Sequence, residues 1–568
     1  MTDTQGSREV DAIADRFVAD YAALDPVAAT FFGIPGHDGE LADLSPDGYD
    51  ARTELQRRAR EAAAAATPVD VREEIAQLSF LERADVELDQ AAAHYRQAKV
   101  SSIYSELHEI RGAFDLMGRD SEEEWSAMAS RLAAVPRALE QWRTTLLEEA
   151  AAGRVSPRRQ IGLVAEQVRT WTGRSGSGGD FFASIVEEAT EATGVPEGLR
   201  SDLARRAEEA SAAFVETAAF LDEELAPRGR EQEAVGREQY QRDSRYFLGS
   251  MVDLDETYAW GWEELYRIET EMAEVAGKIA GAGASVAEAV AVLDADPSRQ
   301  FDDAEEFRGW MQELADRTLA DLNGTHFDIA EPLRTIECRI APTHDGAIYY
   351  TPPSEDFTRP GRMWWSVPEG TEKFSPWREA TTVFHEGVPG HHLQCAQAIY
   401  QHDKLNRWQR SMCWVSGHGE GWALYAERLM DELGYLADPA ERLGFLDGQA
   451  LRATRVIVDI GMHLELEIPK DNPFGFHPGE RWTGDLGLEF MRQHVRFDDA
   501  MIVAETNRYL GLAAQAPSYK IGERIWLQAR EEERQRQGAA FDLKTFHREA
   551  LDLGSLGLDP MREALARL

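Results

Sequence analysis

The chain has 568 residues, 43% of them hydrophobic, so it is long enough for more than one core and too apolar to be disordered. Its 60 basic and 102 acidic residues give a formal charge of −42, which opposes binding to phosphate backbones and anionic lipid, so neither nucleic acid nor membrane is an expected partner. Three cysteines, Cys338, Cys395 and Cys413, do not make a disulfide framework in a chain of this length.

The opening stretch MTDTQGSREVDAIADRF has neither a basic nor an apolar leader region, and no run approaches the apolar length of a membrane span. A soluble, cytoplasmic protein is therefore expected. Abundant Ala and Arg suit a GC-rich bacterial genome. Residues 8–24 space Val10, Ile13, Phe17, Tyr21 and Leu24 three or four apart, which predicts an amphipathic helix. Residues 71–97, 122–151 and 199–226 have the same character. Gly-rich 173–179 and 281–285 predict loops. The segment near 227–236 is the expected lobe boundary, giving an N-terminal helical lobe over 1–230 and a second over 231–568. Strand signals are scarce. The best is 335–351, where β-branched and aromatic residues flank Thr343-His344-Asp345-Gly346 and predict a small hairpin.

Trp, His, Gly and Pro concentrate between about 340 and 530, where short turns between apolar helices favour a site. Residues 384–394 read Phe-His-Glu-Gly-Val-Pro-Gly-His-His-Leu-Gln. Zinc peptidase helices carry His-Glu-x-x-His, with both histidines on one face and the glutamate as general base. Here the spacing is longer. On a regular helix, six residues from His385 to His391 is a rotation of about 600°, some 120° off the starting face. His392 returns to that face but lies about 10 Å along the axis, too far for a shared ion. Pro389 denies the carbonyl of His385 its helical donor, and Gly390 tolerates unusual dihedrals. The expectation is a bulge that extrudes two residues and brings His391 into register, with His392 as the alternative ligand.

The segment 416–430 offers Glu420 between two glycines, which predict close backbone approach, with apolar periodicity through Trp422, Leu424, Tyr425 and Leu429. Glu420 is the expected third ligand, and His418 competes for the place. Three protein ligands leave the open position that hydrolysis needs. Zinc is the expected metal, with cobalt or manganese as substitutes, and Glu386 is the expected general base.

Arg452, Arg455, Asp459 and His463 share one helix face, flanked by apolar Val456, Ile457, Val458 and Ile460. Asp459 is expected to orient a histidine and His463 to donate to an oxyanion. Tyr519 is a second candidate for the oxyanion. Lys520, among only seven lysines, and Arg508 are candidates for a substrate carboxylate. Tyr349 and Tyr350 read as a strand whose edge could pair with an extended peptide. Glu427, seven residues after Glu420, is read either as support for a ligand or as a helix ion pair. Trp364 and Trp365 are read as packing.

These motifs are identified with a known pattern. HExxPGHHxQ stands at residues 385–394 and EGWAxYxE at 420–427. YYxPP stands at 349–353. RxxRxxxDxGxH comprises Arg452, Arg455, Asp459, Gly461 and His463. ExxRYxxxxxQAxxYKIG runs over 505–522. The chain resembles the bacterial domain-of-unknown-function family number eight hundred eighty-five, a family of predicted zinc peptidases. That family in turn is similar to helical oligopeptidases and thermostable carboxypeptidases. The resemblance covers residues 230–568 well and the N-terminal lobe weakly. It implies a mainly α, two-lobed molecule with a deep cleft, the metal at its floor and a small hairpin or sheet beside the metal helix. It also implies hydrolysis of peptide bonds in short peptides, and homodimeric assembly is kept as an expectation. One departure stands out: Ala513-Ala514 replaces the family's usual Pro-Gly, which affects a turn rather than the chemistry. Two other readings of the same ligands are a hydrolase of a non-peptide amide and a metal-binding protein without catalysis. Retention of Glu386 disfavours the last, because proton transfer needs it and metal retention does not.

Overall fold

A computed structural model describes residues 8–175, 179–341, 348–368 and 370–568. The chain forms two compact units. The first takes the chain up to Val69, Ala84–Val235 and Ala504–Leu512; the second takes Asp70–Arg83, Gly236–Val503 and Ala513–Leu568. The main changeover therefore falls after Val235, and two short segments join the unit remote from them in sequence.

The first unit is built on α1 (Glu122–Ala151) and α2 (Glu197–Phe220). A capping box starts α1: the Ser121 hydroxyl accepts from the Glu124 N–H, and the Glu124 carboxylate accepts from the Ser121 N–H at 2.9 Å. Its inner face, with Trp125, Leu132, Leu139 and Trp142, shares a buried core with Leu203 and Phe214 of α2. The predicted helix 199–226 is regular only to Phe220 and continues as a π-helical turn over Leu221–Leu225. The predicted helix 71–97 stops at Ala92, because His94 takes a left-handed φ of 53° before a short turn, Tyr95–Ala98.

The second unit carries α3 (Gly236–Leu248) and α4 (Leu254–Ala280), then β1 (Ile336–Ile340), β2 (Ile348–Thr351) and β3 (Gly361–Trp365). There follow α5 (Pro376–Glu386), α6 (His391–Tyr400), α7 (Ser416–Glu432), α8 (Pro439–Leu464), α9 (Ser518–Gln537) and α10 (Leu543–Asp552). Helix α8 lies against α4, where a Cβ on Gly261 would stand 3.1 Å from both Val456 and Ile457. Helices α7 and α9 approach more closely still. A Cβ on Gly421 would fall 2.5 Å from the Gly522 backbone, so the glycines around Glu420 serve close packing, as their placement predicts.

The sheet corrects the hairpin expectation. Its order is β1-β3-β2, with β1 parallel and β2 antiparallel to β3, so the two predicted strands are not neighbours. The central place goes to β3, whose Gly361, Met363 and Trp365 alternate as buried residues on one face. The predicted turn, residues 343–346, lies outside the described residues. Among the described residues no helix is long and apolar enough to cross a membrane.

Candidate metal centre

The two histidines do not lie on one bulged helix. Helix α5 ends at Glu386 and α6 begins at His391, with residues 387–390 as a full break that contains a cis Val388-Pro389 bond. The expected bulge is thus corrected to two separate helices, one ending on Glu386 and the next beginning on His391. The break is held by backbone: Gly390 N–H donates to the Phe384 carbonyl at 3.0 Å, and His392 N–H to the Gly387 carbonyl at 3.1 Å. A Cβ at position 390 would sit 1.9 Å from the His385 carbonyl oxygen, so only glycine passes there. The carbonyls of Pro389 and Gly390 accept from Trp422 Nε1 at 2.9 and 3.2 Å. Trp422 therefore ties the break to α7, two residues from Glu420.

In this arrangement His385, His391 and Glu420 come together, with one potential ligand atom from each within 4.8 Å of the others. Glu420 Oε2 stands 3.4 Å from His385 Nε2 and 3.4 Å from His391 Nε2. Those contacts are too long for ordinary hydrogen bonds, and Glu420 Oε2 is buried with no hydrogen-bond partner. Ligand bonds of about 2.0–2.1 Å in tetrahedral geometry separate two donor atoms by about 3.3–3.5 Å. The spacing, the orphaned carboxylate oxygen and the nitrogen and oxygen donors fit a zinc-type ion. His418 does not join them; its Nδ1 pairs with the Gln394 amide at 3.0 Å.

His385 Nδ1 donates to Glu427 Oε1 at 2.8 Å, and the Thr381 hydroxyl donates to the other oxygen of Glu427. This hydrogen bond sets the tautomer and leaves the Nε2 lone pair for a metal. Glu427 thus supports the candidate ligand His385 rather than forming a plain helix ion pair. Burial disfavours a charge on His385, but Glu420 and Glu427 outweigh it and raise the imidazole to about 10. Burial alone would push Glu420 up; His391 and His385 reverse that and hold it well below the usual carboxylate range. The cluster is a trap for positive charge. Glu386, beside it, is pushed up by burial, against the opposing pull of His385 and His391.

The alternative ligand, His392, is occupied on both nitrogens. Nε2 donates to the Leu333 carbonyl at 2.8 Å, so Nδ1 accepts from the Tyr350 hydroxyl at 2.9 Å. Burial pushes its pKa down to about 4, which keeps it neutral. Tyr350 is correspondingly engaged with the metal helix instead of presenting its hydroxyl to substrate.

The remaining predicted residues form other clusters. Asp459 Oδ2 accepts from Tyr240 at 2.6 Å and from the Ala514 N–H at 2.8 Å, so this oxygen anchors a turn and α3 rather than orienting a ligand histidine. His463 is 0% exposed, and its ring lies 5.8 Å from that of Tyr240. Tyr519 is half-buried, with the Arg455 guanidinium 5.0 Å above its ring. Lys520 is 1% exposed and bound to Gln449, Glu523 and, at 3.1 Å, Glu264, so its charge is neutralised inside the fold and is not free for a substrate carboxylate. Arg508 lies in the first unit and meets Glu505 of its own helix at 2.9 and 3.0 Å. Trp422 and Tyr240 escaped the sequence reading as functional partners. Trp422 was visible only as one apolar position in a helical stripe, and Tyr240 lies 219 residues from Asp459.

Two solved structures share this architecture. A candidate lipoprotein from Colwellia psychrerythraea superposes with a TM-score of 0.85 at 20% identity, covering 98% of each chain. A candidate lipoprotein of unknown function from Shewanella oneidensis gives a TM-score of 0.72 at 17% identity, covering 98% of this chain and 99% of its own. No curated protein matches the sequence. Residues 26–565 match the family described as "Bacterial protein of unknown function (DUF885)", and the chain belongs to that family.

Proposed function

We propose that this protein is a zinc-dependent hydrolase that cleaves peptide bonds in short peptides. The observation that carries the reading is the equal 3.4 Å spacing of Glu420 Oε2 from two histidine nitrogens, with Glu386 directly following the first of them. His385, His391 and Glu420 would hold the ion, and zinc bound there supplies the Lewis acidity that makes water a nucleophile near neutral pH. Glu386 is the proton carrier. Its buried carboxylate accepts a proton from the attacking water as the new C–O bond forms, and returns it to the amine as the C–N bond breaks. Glu427 keeps His385 in the tautomer that presents Nε2. Tyr519 is the candidate donor to the carbonyl oxygen as it gains charge, with Arg455 over its ring to favour negative charge nearby.

The test compares the parent protein with Glu386→Gln for bound metal and for cleavage of a mixed short-peptide library read by mass spectrometry. One zinc per chain in both, with cleavage by the parent alone, supports the proposal. Zinc in both without any cleavage moves the reading to a non-peptide amide or to a protein that only holds metal. No zinc in either removes the site.

A further inference from the structure

Trp414 is 49% exposed, the most exposed tryptophan among the large apolar side chains of the second unit. Leaving an indole in water forgoes a large apolar burial, so a fold that holds one in place there invites a reason. It is held in place. Its neighbours Cys413 and Val415 are buried and pin the backbone on either side. The ring lies across Gly419, where a Cβ would fall 2.3 Å from the Trp414 Cη2 atom. Glycine at position 419 therefore reserves the place of the indole, one residue before the ligand Glu420. The indole centroid is also 5.9 Å from the ring of His391, tilted by 56°. A half-exposed aromatic surface is thus fastened between the helix starts that deliver two of the three ligands.

We infer that Trp414 is a specificity-determining residue: its indole forms an apolar wall beside the metal centre that receives an aromatic or large aliphatic side chain of a peptide residue flanking the cleaved bond. The inference rests on the peptidase reading and adds the substrate class. An indole face offers dispersion and edge-to-face contact to such a side chain, and nothing comparable to a small or anionic one. It takes no part in proton transfer.

The test uses the full-length zinc protein, with Trp414→Ala and Trp414→Phe, on matched peptide pairs that place Phe or Ala next to the cleaved bond. The expected result is a parent preference for the Phe peptide that falls about tenfold or more in Trp414→Ala, carried mainly by KM. Trp414→Phe should restore most of it. Zinc content and melting temperature are measured alongside, so that loss of the metal or of the fold is told apart from loss of the wall. A preference in Trp414→Ala equal to the parent's, with zinc retained, overturns the inference and leaves the peptidase reading standing. If the parent cleaves no peptide while holding zinc, the peptidase reading falls and the inference falls with it.

Discussion

Trp422 Nε1 donates to the carbonyl of Pro389 at 2.9 Å and reaches the carbonyl of Gly390 at 3.2 Å. One indole thus satisfies the backbone of the break that sets His391 in place, from the helix that carries Glu420. Trp422→Phe keeps the apolar bulk and removes the donor. The Pro389 carbonyl then lacks its partner in a buried turn, which costs about 1–3 kcal/mol, whereas the Gly390 carbonyl keeps the Gln394 N–H at 3.2 Å. The expected outcome is a lower urea midpoint together with weaker zinc retention, because the break and the His391 ring move as one. Equal stability and equal zinc retention in Trp422→Phe would mean that the turn holds itself.

Glu427 grips His385 through Nδ1 at 2.8 Å and is itself gripped by Thr381. Burial pushes its carboxyl up, yet His385, Arg452 and Thr381 together bring it below the usual range, so it is anionic when it meets His385. Replacing Glu427 by Gln keeps the shape and removes the charge that makes the imidazole a better donor to metal. Zinc affinity should fall about 10–100-fold, measured by competition with a chromogenic chelator. Glu427→Gln with the parent's affinity would show that orientation alone, and not the charge, is what His385 needs.

The parts of this site that the sequence disclosed are those written in local spacing. His385, Glu386 and His391 announce themselves within seven residues, and Pro389 with Gly390 explains why the usual helix spacing fails. Glu420 stands between two glycines, Gly421 required by the close approach of α7 and α9 and Gly419 by the Trp414 ring. What the spacing did not disclose was how the failure is resolved. A bulge and a complete break suit the same residues equally well, and the helix ends at Glu386 and His391 are what tell them apart. Lys520 misled for a related reason. A rare lysine in a motif looks like a ligand for substrate, but its three partners come from α4, α8 and its own helix, contacts that no sequence window contains. The strand order failed similarly, because β3 was read as packing aromatics and then took the centre of the sheet.

Ala514 adopts φ 66°, in the left-handed region that favours glycine, at the position where the family's usual glycine is replaced. Its N–H is tied to Asp459 Oδ2 at 2.8 Å, and that bond holds the turn in spite of the Cβ. Ala514→Gly removes the steric penalty, at some cost in unfolded-chain entropy. A net stabilisation of about 0.5–1 kcal/mol is expected from equilibrium urea unfolding. Asp459→Asn should act in the opposite direction by weakening the anchor. Destabilisation by Ala514→Gly would show that the alanine methyl contributes packing that outweighs its strain.

His547 supplies a pH dependence remote in sequence from the candidate metal ligands. It is fully buried, accepts from the Tyr425 hydroxyl at Nε2 over 2.7 Å and stacks on Phe327 at 4.6 Å. Burial drives its pKa down from 6.5 to about 3, with the His326 carbonyl opposing only in part. Above pH 6.5 the folded and unfolded states are both neutral at this residue, and its contribution to stability is whole. As the pH falls below that, the unfolded chain takes up a proton that the folded chain refuses until about pH 3, so stability is lost across that window. The slope for one such group is at most about 1.4 kcal/mol per pH unit. His547→Gln keeps a polar partner for Tyr425 but cannot titrate. The stability difference between parent and variant, from urea unfolding at pH 6.5 and again two units lower, should therefore narrow by about 2–3 kcal/mol in the acid. A difference that stays constant between those two conditions would show that His547 is protonated in the folded state as readily as in the unfolded one, and that its burial is relieved by water reaching the ring.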